Sequence, residues 1–269
     1  MSEPSRTSQA VALIRAGLTR PHAPDGDPGG QRRLTDGFRT GGGPALVAHM
    51  QARTAFIDDA VLSAIAAGVT QVVVVGAGYD DRALRFRTPG VRFFEVDHPV
   101  TQADKRRRVE LMGAAGDVTF VPVDLAGSDL GSALEAAGHA ASAATLFIAE
   151  GLLVYLDLQV IGQLLDVLRQ RAADGSRLVA SLAIHADGID SARAVEVANS
   201  RREDSTAEPW RTILSRSAHL QLLADGGWLT IQETDIPSAG GRGVTLLVQA
   251  EPGPGTQGGA DDLGDAGAG

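Results

Sequence analysis

Cysteine is absent from the 269-residue chain. Disulfides, cysteine-ligated zinc, iron–sulfur clusters and a thiol nucleophile are therefore excluded. Aromatic residues make up only 4% of the sequence, so Ala, Val, Leu and Ile must build most of the core. Lysine occurs once, at Lys105, among 24 basic residues. The net charge of −9 argues against a nucleic-acid-binding surface that extends over the whole protein.

Long apolar runs are also missing, because no segment reaches the roughly 18 apolar residues that span a membrane. The apolar stretch 11–14 is interrupted by Arg15 and is too short for the core of a signal peptide. We therefore expect one cytoplasmic domain over residues 1–251, with no membrane or nucleic-acid partner. A homodimer is the assembly that we consider beside the monomer.

The first 68 residues are predicted to form a helical cap and lid. Residues 8–18 have apolar side chains at helical spacing. The stretch 19–43 is rich in Pro, Gly, Asp and Arg, which is typical of a loop or a partly mobile lid. A second helix is predicted over 44–67, where Pro44 suits the first turn and Gly68 suits the stop.

Short apolar runs alternate with helical segments in the middle of the chain. The predicted strands cover 71–75, 91–96, 118–123, 145–149 and 177–182, and clear helical patterns cover 100–112 and 158–173. This alternation indicates an α/β fold with a doubly wound parallel sheet. After a helix at 212–224, the strands 228–234 and 244–250 follow one another directly and predict an antiparallel edge hairpin. The sheet would then have seven strands, and the glycine-rich residues 252–269 are predicted to be disordered.

A glycine motif follows the first predicted strand, in the order Val75-Gly76-Ala77-Gly78-Tyr79-Asp80-Asp81-Arg82. Glycines at the carboxyl end of a central strand let the backbone pass close under a ligand. A dinucleotide fingerprint would require a third glycine where Asp81 stands. Two adjacent carboxylates would repel a pyrophosphate and would favour a ligand that carries sulfonium and ammonium groups.

Acidic residues end the next strands as well. Asp97 lies 19 residues after Gly78, where a carboxylate accepts hydrogen bonds from a ribose diol. Glu95 shares the face of Asp97, and we interpret it as a solvated charge at the strand end. Asp124 either accepts from an adenine amino group or caps the following short helix, and the residues alone leave both alternatives open.

Glu150 and Gly151 end the fourth strand, where the carboxylate is well placed to meet an ammonium group of a ligand. The other charged groups have plainer interpretations. Residues 105–108 are expected to form a solvated helix face, and Asp58 and Asp59 are expected to be exposed helix charges. The six histidines are too scattered for a metal triad, so no metal is predicted.

Four motifs together resemble the leucine carboxyl methyltransferase family, which uses S-adenosylmethionine on a class I, Rossmann-like methyltransferase fold. The motifs are Ala52-Arg53-Thr54, the glycine motif from Gly76 to Arg82, Phe94-Glu95-Val96-Asp97-His98-Pro99, and the segment from Ala149 to Leu156. Their order and spacing cover residues 50–182.

The resemblance implies a role for each matching residue toward S-adenosylmethionine. Arg53 would clamp the methionine carboxylate with its planar guanidinium. Gly76 and Gly78 would lie under the methionine, with Ala77 and Asp80 beside them in the donor site. Glu150 would bind the amino group and Asp97 the ribose. Asp124 and Leu125 would contact the adenine. The choice of Asp97 over Glu95 follows from the resemblance.

The N-terminal arm and residues 185–216 match the family poorly, and these regions normally cover the acceptor. We expect a methyltransferase that acts on a carboxylate or hydroxyl of a small, polyketide-like acceptor. A hydroxyl acceptor makes a base useful, and His185 is the candidate, with Tyr155 lining the pocket. Two alternatives stay open, a catalytically silent module that binds S-adenosylmethionine and an NAD-dependent oxidoreductase.

Overall fold

The computed structural model describes residues 4–39, 43–200, 208–238 and 244–254. Seven strands form one sheet. They are β1 (Gln71–Val75), β2 (Arg92–Asp97), β3 (Thr119–Pro122), β4 (Thr145–Ala149), β5 (Arg177–Ile184), β6 (Trp228–Pro237) and β7 (Val244–Pro252). The helices are α1 (Arg6–Ala16), α2 (Gly30–Leu34), α3 (Pro44–Ala66), α4 (Arg82–Arg85), α5 (Pro99–Leu111), α6 (Leu130–Ala136), α7 (Leu158–Gln170), α8 (Ser191–Ser200) and α9 (Arg216–Asp225).

The strand order is β3-β2-β1-β4-β5-β7-β6, and it confirms the predicted doubly wound sheet. The first five strands are parallel, whereas β7 runs antiparallel to both β5 and β6. The last strand therefore lies inside the sheet, and β6 forms the edge. This hairpin is the antiparallel feature that two consecutive strand patterns predict.

Both faces of the central strand are buried, which explains its run of valines. All five residues of β1 are buried. Val73 and Val75 join one hydrophobic cluster, with α7, while Val72 and Val74 join a second cluster on the opposite face, with α3. The sheet is thus covered by helices on both sides, as parallel sheets require.

Most of the described part, 19–39, of the predicted loop or partly mobile lid has no regular secondary structure, as expected of a loop. This segment contains α2 and follows α4 closely, since Ala23 N–H donates to Arg85 O at 3.1 Å and Asp27 N–H to Leu84 O at 2.9 Å. A side chain at Gly26 would approach Arg85 O to 1.8 Å. Glycine there permits a close backbone contact instead of a flexible turn.

The segment 185–216 contains α8, none of whose residues is buried. Residues 201–207 of the predicted insertion and 255–269 of the predicted tail lie outside the described residues. At the start of that tail, Pro252 completes β7 and Gly253 N–H donates to Gly227 O at 2.8 Å. Across the described ranges, the helices are too short or too polar to cross a membrane.

Candidate active site

A cavity of about 430 Å³ opens at the carboxyl ends of β1, β2 and β4. Its floor is the loop after β1, where Gly76 and Gly78 adopt positive φ angles of 67° and 51°. A side chain at Gly78 would come within 2.7 Å of Ser8 Cβ in α1, and one at Gly76 within 2.8 Å of Leu152. The loop therefore needs glycine for its backbone conformation and for the close approach of its neighbours.

Asp97 forms the wall next to this loop. One carboxylate oxygen accepts from Gly78 N–H at 2.5 Å and the other accepts from His98 N–H at 2.7 Å. Burial raises the pKa of Asp97, and the two backbone donors only partly offset this effect. The two amides fix the carboxylate at the cavity, which suits the predicted contact with a ribose diol.

Asp124 and Leu125 line the cavity beyond Asp97. The Asp124 side chain also accepts from Ala126 N–H at 3.1 Å and so stabilises the turn that follows β3. The alternative that Asp124 caps the following helix is wrong, because Asp129 is the N-cap of α6. The contact with adenine stays a prediction.

Opposite the glycine loop, Glu150 lies among three guanidinium groups. Arg53 Nε donates to it at 2.8 Å, Arg82 Nη1 at 2.7 Å, and Arg15 forms an ion pair with the same carboxylate. Asp80 accepts from Arg15 Nη1 at 3.1 Å. Arg15, Arg53, Asp80 and Glu150 all line the cavity.

This arrangement determines the charge of Glu150. Burial alone raises the pKa of a carboxyl group, but Arg15, Arg82 and Arg53 outweigh burial and hold the pKa of Glu150 well below its ordinary value. The pKa of Asp80 is also lowered, because Arg82 and Arg15 overcome the effect of its burial. Two carboxylates thus face the cavity in their charged forms, and Arg15 and Arg53 lie beside them.

Arg15 is the main site residue that the motifs miss. It belongs to α1 and is only 5% exposed. Val11, four residues earlier, lines the same cavity. An arginine that shares a helix face with an apolar residue is the available sequence signal, since such a charge is buried only with partners.

Asp81 and Asp58 lie elsewhere than the sequence predicts. Asp81 is fully buried and pairs with Arg20 at 2.5 Å and Arg85 at 2.8 Å, so it does not face the cavity, and its supposed repulsion of a pyrophosphate is wrong. Asp58 is fully buried rather than exposed, whereas Asp59 is exposed as predicted.

The interpretation of Glu95 as a solvated charge is also wrong, because it is 1% exposed and pairs with Lys105 at 2.5 Å. Lys105 is likewise buried and donates to Asp80 O at 2.6 Å. The first residue of the basic run 105–108 is therefore an internal support and not part of a solvated face. Burial raises the pKa of Glu95 to about 7 even though Lys105 opposes this shift.

The two candidates for the acceptor side differ in position. Tyr155 lines the cavity. His185 is not among the described residues that line it, and its ring nitrogens contact Ala186 O at 2.8 Å and Ser191 Oγ at 2.9 Å. Its role as a base stays a prediction without support from this geometry. Within the described ranges, His, Asp and Glu form no cluster that could hold a metal ion.

Fold and site together define a class I methyltransferase that depends on S-adenosylmethionine. The family model for leucine carboxyl methyltransferase matches residues 11–169. The chain therefore belongs to the leucine carboxyl methyltransferase family.

Curated relatives agree with this assignment. A Streptomyces coelicolor protein is 35% identical over 93% of this chain and 85% of its own length. A Mycolicibacterium vanbaalenii protein is 33% identical over 82% of this chain and 72% of its own. Both carry the name of an S-adenosyl-L-methionine-dependent methyltransferase.

Solved structures share the fold at low sequence identity. Magnesium protoporphyrin IX methyltransferase from Synechocystis matches with a TM-score of 0.53 and 14% identity, over 81% of this chain and 91% of its own. A Burkholderia thailandensis 1,6-didemethyltoxoflavin N1-methyltransferase matches with a TM-score of 0.52 and 17% identity, over 78% and 79%. These two confirm the class I fold.

Proposed function

We propose that this methyltransferase transfers the methyl group of S-adenosylmethionine to an oxygen of a small-molecule acceptor, either a carboxylate or a hydroxyl. The observation that carries the proposal is the cavity itself, in which apolar residues accompany the charged donor site. Val11, Leu152, Tyr155 and Leu156 line it beside the charged groups. A cavity with such a mixed lining suits a small acceptor with an apolar body.

The residues present fit the donor group by group. Gly76 and Gly78 form the floor of the cavity and present only backbone to it. Asp97 presents a carboxylate that two amides hold toward the ribose position. The ion pair between Arg53 and Glu150 is complementary to a zwitterionic amino acid end, whose carboxylate would meet the guanidinium and whose ammonium would meet Glu150.

When bound, the donor supplies an electrophilic methyl group on a good leaving group. The protein then has to bind the donor, exclude water and hold an acceptor oxygen in line with the methyl group. A carboxylic acid acceptor is already ionised at neutral pH and needs no base. The family description, which names a carboxyl methyltransferase, supports the carboxylate as the first acceptor to test.

The proposal is tested by a screen of small carboxylic acids, phenols and alcohols with methyl-labelled S-adenosylmethionine. A labelled methyl ester loses its label as methanol in mild alkali, whereas a methyl ether keeps it. Label in either product supports oxygen as the acceptor atom, and the alkali step distinguishes the two classes. Label on nitrogen, on carbon or on protein only would contradict the proposal.

A further inference from the structure

Arg82 lies directly behind the wall of the cavity and does not line it. Its side chain is fully buried. The single nitrogen Nη1 donates to Asp80 Oδ2 at 2.5 Å and to Glu150 Oε2 at 2.7 Å. One guanidinium nitrogen thus joins the two carboxylates that face the donor site.

The opposite side of the same guanidinium is fixed by α3. Arg82 Nε donates to Asp58 Oδ1 at 2.7 Å. Asp58 is in turn held by Arg20, whose Nε donates to Oδ2 at 2.8 Å and whose Nη2 donates to Oδ1 at 3.0 Å. Arg82 N–H also donates to Asp80 Oδ1 at 2.8 Å. Nε and Nη1 are therefore held from two sides by Asp58, Asp80 and Glu150, while Nη2 is buried without a hydrogen-bond partner among the described residues.

Electrostatics gives this contact a consequence for the donor. Glu150 repels Asp80 and acts to raise its pKa. Two like charges at one buried site do not both stay ionised without a counter-charge. The charged and titratable groups that face this pair are Arg15 from α1, His49 and Arg53 from α3, Arg82 from α4, Glu95 from β2, Lys105 from α5, and Tyr155 beside Arg53.

We propose that Arg82 is a positioning residue for donor binding, which bridges Asp80 and Glu150 and holds both carboxylates at the cavity without touching the donor itself. Arg15 and Arg53 also bind Glu150, but both line the cavity and are free to exchange that carboxylate for the donor. Arg82 cannot exchange its carboxylate partners for the donor, because protein groups surround it. The inference rests on the assignment of Glu150 to the donor site.

A matched control is available in the same short helix. Arg85 is also buried, at 4% exposure, and it also pairs with an aspartate, Asp81. Its remaining partners are the carbonyl oxygens of Pro21 and Pro28, none of which lines the cavity. The change Arg85→Lys therefore removes a comparable buried guanidinium without changing the donor-site carboxylates.

The experiment measures the affinity of S-adenosylhomocysteine between pH 4.5 and 8 for the wild type, R82K and R85K. Lysine keeps the positive charge but cannot bridge both carboxylates and Asp58 from one planar group. We expect R82K to bind roughly tenfold more weakly at pH 7. We also expect acidification to weaken its binding at a higher pH than in the wild type, because the two carboxylates take up protons more easily without the bridging guanidinium.

R85K should keep the affinity and the pH profile of the wild type even where its melting temperature falls. An unchanged pH profile in R82K would overturn the proposal, and so would an equal shift in R85K. If R82K does not fold, the same pH profile is measured for D58N, which weakens the contact that holds Arg82 and leaves the charge of Arg82 in place. E150Q tests the assignment of Glu150 to the donor site separately from the role of Arg82, because unchanged affinity in E150Q refutes that assignment.

Discussion

The donor site and the segment that follows β5 differ most clearly in burial. All four residues of α4 are buried, two of them arginines, while α8 has no buried residue. Around the donor site, every buried charge needs a partner of particular length and shape. No such constraint acts on α8, because none of its residues is buried. The donor can be recognised from motifs for this reason, and the acceptor cannot.

The largest expected effect tests the donor side of this comparison. Arg53→Ala leaves Glu150 without one of its donors, and Asp97→Ala leaves two backbone amides without an acceptor. Each change should weaken S-adenosylhomocysteine binding by at least about 1–3 kcal/mol, as expected for an unpaired charge-assisted contact. Isothermal titration calorimetry measures this loss.

Asp59→Ala is the control for Arg53→Ala, because Asp59 lies on the same helix and is exposed. Its affinity should equal that of the wild type. Wild-type affinity in both Arg53→Ala and Asp97→Ala would refute the assignment of the donor site.

A smaller loss is expected from Gly78→Ala. The new Cβ would lie 2.7 Å from Ser8 Cβ at a φ of 51°, so α1 or the loop must shift. We expect donor affinity to fall by roughly tenfold, because the loop passes beneath the donor. Gly90→Ala provides the control, since Gly90 has a φ of 82° and open space around its Cβ position.

Gly90→Ala should lower stability by about 1–2 kcal/mol through backbone strain and leave donor affinity unchanged. Equal losses of donor affinity in Gly78→Ala and Gly90→Ala would show that backbone strain, and not the contact with α1, weakens donor binding.

Glu95 should contribute more to the pH dependence of stability than to donor affinity. Its pKa is about 7 in the folded protein against an ordinary value of 4.5. Between these values the folded state keeps a proton that the unfolded state has released, so the contribution of Glu95 to stability falls as pH rises. The groups that face Glu95 are Lys105, Asp80 and Asp97.

Glu95→Gln removes this titration. Urea unfolding should show that the wild type loses stability relative to Glu95→Gln between about pH 4.5 and 7, with a constant difference above and below that window. Exposed Glu110→Gln on α5 is the control and should follow the wild type at every pH. Parallel curves for the wild type and Glu95→Gln would contradict the expected shift.

The sequence predicts the parts of the fold that depend on local pattern. Residues 71–75 and 145–149 match β1 and β4 at both ends, because a short run buried on both faces has few alternatives. The burial of Asp81 and Glu95 is not predictable from the local sequence. Arg20, a partner of Asp81, lies far from it in the chain. Lys105, the partner of Glu95, lies in a run that resembles a solvated surface. Pairing at long range has no local signal in a single sequence.

The smallest expected effect tests the acceptor side. His185 contacts Ala186 and Ser191 and does not line the described cavity, so His185→Ala should leave the rate of methyl transfer within about twofold of the wild type. A general base contributes roughly 10²- to 10⁴-fold, so a loss of that size would restore His185 as the base. Tyr155→Phe is the paired measurement, because Tyr155 lines the cavity. A larger effect in Tyr155→Phe than in His185→Ala would place the acceptor beside the turn that follows β4, and not beside α8.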